Sequence, residues 1–287
     1  MKKIFGGLNL TWKIIIISAA VIGISVGLIN SIPFFPNTSF TDSAIYFDLW
    51  ILFGILIIMN SKSNIESALK CFVFFLISQP LIYLVEVPFS HLGWQLFIYY
   101  KYWFIWTVFC FPMGYIGYYI KKDKWWGLLI LLPMLFLLGY SLVAHLGNTI
   151  YSFPRHILSY LFCICSLIIY PLYMFNNKKI RIVGLVISLI AIISFSIVPI
   201  IKSPTYETEL LISGNTYVFD DTYKVYLKDS KYGEVSIREI PSIEAYGVHS
   251  KFVKAGHTQL VLEAPDGSIR TFDLIIESRT YEINEIK

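Results

Sequence analysis

Up to residue 202 the apolar residues come in long blocks, and beyond it they fall at every second position. The blocks predict membrane-crossing helices, since about 20 apolar residues at 1.5 Å each cover roughly 30 Å of hydrocarbon. Seven spans are expected: 13–32, 43–59, 64–86, 97–120, 125–146, 155–175 and 180–201. The second is barely long enough. Helices are the default here because an open sheet edge would leave backbone groups unpaired in lipid. Ala19, Gly23 and Gly27 recur every four residues, so one face of the first helix admits a close neighbour. Ser63 and Glu66 match a capping box at the start of the third span. Pro80, Pro112 and Pro133 fall inside spans and should bend them.

The alternating part predicts strands. Tyr223, Val225 and Leu227 alternate with Lys224, Tyr226 and Lys228, Val235 and Ile237 with Glu234, Ser236 and Arg238, Leu260 and Leu262 with Gln259 and Val261, and Phe272, Leu274 and Ile276 with Asp273 and Ile275. Turn residues separate them: Ser213-Gly214-Asn215, Asp229 to Gly233, and Ala264-Pro265-Asp266-Gly267. The expected architecture is an α-helical polytopic bundle over 1–202 followed by a small all-β sandwich over 203–287.

Charge sharpens the division. Residues 1–202 carry 14 Lys/Arg and 5 Asp/Glu, whereas residues 203–287 carry 9 and 14. The basic balance of the whole chain therefore belongs to membrane loops and gives no reason to expect nucleic acid. Eleven basic residues lie on one side of the expected bundle: Lys2, Lys3, Lys13, Lys62, Lys70, Lys121, Lys122, Lys124, Lys178, Lys179 and Arg181. Only Lys101, Arg155 and Lys202 flank the spans on the other side. The positive-inside rule then expects a plasma-membrane protein with a cytoplasmic amino terminus and an extracytoplasmic carboxyl terminus. The amino-terminal apolar segment is expected to be a retained span rather than a cleaved signal, because it is long and no small-residue cleavage site follows.

The stretch FVKAGHTQLVLEAPDGSIRTFDLIIE, residues 252–277, resembles the second half of bacterial immunoglobulin-like surface domains. In these a Gly-x-Thr turn leads into a strand, an Asp-Gly hairpin, and a strand with Phe-x-Leu. The resemblance covers about 206–287 and implies an immunoglobulin-like sandwich on the outer face of a bacterial envelope. It carries no activity, since such sandwiches serve many roles. The region lacks Cys and Trp, so the disulfide and buried Trp of antibody domains are absent.

Candidate chemistry is confined to one level of the bundle. Asp48, Glu86, His91, Lys101, Arg155 and His156 all map to the outer ends of spans, with Asp42 and His145 near them. Together they could line an outward-facing pocket. The plainer reading of Glu86 is an acid that ends a helix where water is within reach, which costs little. Asp48 is placed to pair with Lys101, and Lys101 and Arg155 could equally reach lipid phosphates. The histidines show no metal-binding spacing, so no metal is expected. Cys71, Cys110, Cys163 and Cys165 fall in spans and read as small apolar residues. No phosphate loop, nucleophile elbow or other catalytic motif occurs, and no cofactor is expected.

These features favour a non-enzymatic envelope protein whose helices anchor and orient an outer binding or interaction domain, as a sensor or a complex subunit. Its expected partners are the lipid bilayer and an envelope protein or surface ligand reached through residues 203–287. A small transporter or permease component and a membrane-embedded enzyme are the alternatives.

Overall fold

The computed structural model describes residues 5–35, 37–202, 205–214, 217–240, 245–277 and 280–286, with the side chain of Ser43 excepted. Lys2, Lys3, Ser203, Pro204 and Asn215, which entered the expectations above, lie outside the described residues. The chain divides into two compact units: residues 1–145 with 157–198, and residues 146–156 with 199–287.

The first unit is helical. Among the described residues, six helices are long and apolar enough to cross a membrane. They are α1 (Trp12–Ser31), α4 (Asn64–Glu86, continued to Phe89 by a short 3-10 turn), α5 (Phe97–Gly117, extended at both ends by 3-10 turns), α6 (Trp125–Tyr151), α7 (Ile157–Met174) and α8 (Lys178–Ile201). The expected second span is broken. It consists of α2 (Ser39–Ile45) and α3 (Phe47–Asn60), parted at Tyr46, whose backbone is extended (φ −89°, ψ 170°). Alone, the 14 residues of α3 reach only about 21 Å. Neither proline nor glycine sits at the break, so its cause is tertiary.

Helix α4 is the packing centre, and small residues let its neighbours close on it. A Cβ on Gly23 of α1 would lie 2.6 Å from the Ser78 carbonyl oxygen, and one on Gly27 would lie 2.7 Å from Val85 Cβ. The expected close face of α1 is therefore real, and its partner is α4. On the other flank, a Cβ on Gly114 of α5 would lie 3.0 Å from Ala68 Cα, and the Ser67 hydroxyl donates to the Gly114 carbonyl at 2.8 Å. Such approaches matter in lipid, where helices associate by van der Waals contact and hydrogen bonding rather than by expelling water. The start of α4 is capped nearly as expected. Ser63 Oγ accepts from the Glu66 amide at 3.2 Å, but Glu66 reaches back to the amide of Lys62 rather than Ser63. Glu66 also holds buried Lys70 at 2.5 Å.

Hydrogen bonds gather the basic ends of the helices. The Leu8 amide donates to Asn60 Oδ1 at 2.7 Å, and Lys121 Nζ donates to the Ser61 carbonyl at 2.5 Å. Asp123, in a left-handed turn after α5, accepts from the Asn176 amide at 2.9 Å. At its other end α2 lies against the start of α7, where Ser39 Oγ accepts from the Leu158 amide. Residues 39–60 thus run from the start of α7 to the basic end.

The second unit is all-β, with two antiparallel sheets. One has the order β1 (Tyr206–Ile212), β4 (Ala245–Phe252), β3 (Gly233–Ile240). The other has the order β2 (Lys224–Leu227), β5 (Gly256–Glu263), β6 (Ile269–Ile276), β7 (Tyr281–Ile286). Leu210, Val248 and Phe252 of the first sheet share a buried core with Leu260, Phe272 and Leu274 of the second. The Tyr281 hydroxyl ties the sheets by donating to the Glu209 carbonyl at 2.8 Å, and burial pushes that hydroxyl's pKa up. At the β5–β6 hairpin, Gly267 takes φ +86°, and hydrogen bonding from Ser268 holds the Asp266 carboxyl below the ordinary carboxylate range. This unit also takes in the end of α6 and the loop after it: Tyr151 belongs to its core and accepts from the Ala255 amide at 2.8 Å.

The α1–α4 contact makes a direct prediction. Gly23→Leu must push the helices apart and should destabilise the protein by about 1–3 kcal/mol, as overpacking does. Gly54→Ala is the control, because a Cβ at Gly54 meets nothing within 4 Å. Thermal unfolding in a mild detergent should show a lowered midpoint for the first variant only.

Candidate functional site

The break at Tyr46 has a polar lining, built from four helices. Asp42 near the end of α2, Asp48 in the first turn of α3, His145 near the end of α6 and Ser159 in α7 are all buried, and Asp48 and His145 are fully so. The two carboxylates sit on opposite sides of one imidazole. Asp48 Oδ2 is 3.3 Å from His145 Nε2, and Asp42 Oδ2 is 3.6 Å from His145 Nδ1. Ser159 Oγ donates to Asp42 Oδ2 at 2.8 Å, and Tyr46 packs edge-on against the His145 ring at 4.8 Å between centroids.

Local forces explain how the chain breaks there. A helix ending inside an apolar bundle leaves carbonyls that need donors. The buried indole of Trp50 supplies one, donating to the Ala44 carbonyl at 2.9 Å across the break. The Thr41 hydroxyl accepts from the Thr38 amide at the other end of α2. The α3 start then carries Asp48 in its first turn, where the positive end of the helix dipole favours an acid. A groove of about 270 Å³, lined by Ser39, Phe40, Leu49, Leu158, Ser159 and Phe162, adjoins the cluster.

Of the six residues singled out from the sequence, only Asp48 belongs to this cluster. Glu86 is partly buried at the end of α4, and its carboxylate accepts from Asn30 Nδ2 at 2.6 Å, fastening the end of α1 to α4. His91 is exposed in the turn between α4 and α5. Lys101 is exposed and lies over the Tyr102 ring at 5.1 Å. The expected Asp48–Lys101 pair is therefore not formed; the partner of Asp48 is His145. Among the described residues no hydrogen bond or ion pair links any two of Asp48, Glu86, His91 and Lys101.

Arg155 and His156 fall in the second unit. Arg155 is half-exposed, with Nη1 3.7 Å from Glu277, and it lines a pocket of about 260 Å³ with Ser152, Gly256 and His257. His156 is buried. Among the described residues no three His, Cys, Asp or Glu side chains are placed to hold a metal ion. The reason is visible at His145, where the carboxylates face different ring nitrogens and share no coordination point.

The sequence reading named His145 beside the six candidates but not among them. The signal available was two acids, Asp42 and Asp48, in one apolar segment. No family model, no curated protein and no solved structure matches the chain.

The role of Glu86 follows from its bond to Asn30. Glu86→Gln keeps an acceptor and should leave the thermal midpoint within about 0.5 kcal/mol of the parent, whereas Glu86→Ala strands the Asn30 amide and should cost about 1–2 kcal/mol. Unfolding in detergent, run on both variants together, distinguishes a structural fastening from a working group.

Proposed function

We propose that this chain is an integral membrane protein of a bacterial cell envelope that anchors and orients an extracytoplasmic binding or interaction domain, immunoglobulin-like, as a sensor or a subunit of a larger complex. The observation that carries this reading is the pairing of six apolar helices with an all-β unit entered at Tyr206, soon after the last helix ends at Ile201. The gathering of basic helix ends also supports it. Asn60, Ser61, Lys121, Asp123 and Asn176 are tied together at one end, as cytoplasmic loops would be under the positive-inside rule. In this reading the partner reached through residues 203–287 is an envelope protein or surface ligand.

A second reading, a small transporter or permease component, draws on a different observation. Discontinuous helices with buried ionisable groups are the usual construction of transporter binding sites, and α2–α3 has both features.

The topology is the first thing to test. Single cysteines replacing Ser230 and Lys122, in a background lacking the four native cysteines, should differ in labelling by an impermeant maleimide on intact cells. Ser230→Cys is expected to label and Lys122→Cys to be protected. The reverse pattern would overturn the orientation, and with it the outward placement of the β unit.

A further inference from the structure

Asp48 stands apart from every other acid in the helical unit. It is fully buried, and among the described residues neither carboxylate oxygen accepts a hydrogen bond. The charged form of such a group is expensive in a dry interior unless a partner neutralises it. The partner is an imidazole at 3.3 Å, itself wholly buried and faced on its other nitrogen by a second acid. Two carboxylates thus compete for one ring.

We propose that Asp48 and His145 form a proton-binding site inside the bundle, loaded through Ser159 and Asp42 from the groove beside α2 and α7.

The geometry gives each group a task. Ser159 lines the groove, and its hydroxyl donates to Asp42 Oδ2 at 2.8 Å. A proton arriving on Asp42 passes to His145 Nδ1, giving an imidazolium beside Asp48, and the ring's Nε2–H bond then breaks toward Asp48. The ring ends neutral with its tautomer exchanged, and Asp48 ends as a carboxylic acid. The other titratable groups facing Asp48 are Cys163 and Tyr170 of α7. Cys163 is engaged with the Leu138 carbonyl at 3.0 Å, and neither group carries charge near neutrality. Tyr46, at the break, packs on the ring. The ligand is a proton and not a metal ion, because the acids approach opposite edges of the imidazole. Ionisable residues buried inside a membrane-spanning bundle are functional by default.

The break makes the site responsive. Asp42 and Asp48 lie on different helical segments, joined by the extended residue Tyr46. Losing a proton alters how strongly each acid, and so each helical segment, is drawn to the ring.

The test uses the full-length protein in lipid or detergent. Infrared difference spectra between about pH 5 and about pH 9, a range that covers ordinary carboxyl and imidazole titration, report the carbonyl stretch of a protonated carboxylic acid. The parent should show such a band appearing with acidification, and Asp48→Asn should abolish it while Glu86→Gln retains it. His145→Gln should displace its midpoint by at least about one pH unit, since a neighbouring charge at this distance moves a carboxyl by that much or more. A parent spectrum with no pH-dependent carboxylic band overturns the proposal, as does a band that survives in Asp48→Asn. Should Asp48→Asn fail to fold, His145→Gln decides, and an unmoved midpoint there overturns the site.

Discussion

In an apolar bundle every interrupted backbone hydrogen bond must be replaced from within the protein, and this constraint governs the structure around Tyr46. Ala44, in the last turn of α2, is buried, and its carbonyl is met by the Trp50 indole. That one bond allows a helix to stop and restart inside the bundle without the several-kilocalorie cost of an unpaired group in hydrocarbon. The restart puts Asp48 in a first helical turn facing His145, and α2 brings Asp42 to the other side of the ring. Without the replacement bond the segment would gain by closing into a continuous helix. Asp42 and Asp48, six positions apart, would then point about 120° away from superposition and could not both face one imidazole.

Much of the fold was legible in the sequence, because the properties that define it are local. Block length and apolarity located α1 and α4–α8 within a few residues, and alternation located β2, β3, β5 and β6. The small face of α1 was legible too, since Ala19, Gly23 and Gly27 are spaced for one helix surface, although the identity of the helix that fills it was not. The broken second span was hidden because nothing in its composition interrupts a helix; the break rests on contacts with α6 and α7. Strand β4 was hidden for a related reason. Its inward face runs Tyr246, Val248, Ser250 and Phe252, and Ser250, satisfied by donating to the Thr208 carbonyl at 2.9 Å, interrupts the apolar alternation.

The candidate site was less legible, for reasons of rotation rather than depth. Sequence can place a residue along a helix, but it cannot say which way the helix turns that residue. Lys101 lies over Tyr102 and Glu86 accepts from Asn30, whereas Asp48 faces His145. The second unit adds a boundary effect. Leu146–His156 folds with the sheets, and Tyr151 fills part of their core, so Arg155 finds Glu277 rather than a membrane-level acid.

The energetics of the buried cluster bear on why it exists. Replacing a buried ion pair by well-packed apolar side chains is often neutral or stabilising by about 1–4 kcal/mol. Asp42, His145 and Asp48 are therefore poorly explained as a means of holding α2, α3, α6 and α7 together, a task that the apolar neighbours Trp50, Leu138 and Leu142 perform without a desolvation penalty. Contrast Glu86, whose single bond to Asn30 joins two helix ends close to water and whose cost is small. The fully buried acid has no such local return. It becomes tolerable if its charge is intermittent, cancelled by a proton in one state and by the imidazolium in another, and a group whose charge is intermittent is one that senses or moves protons.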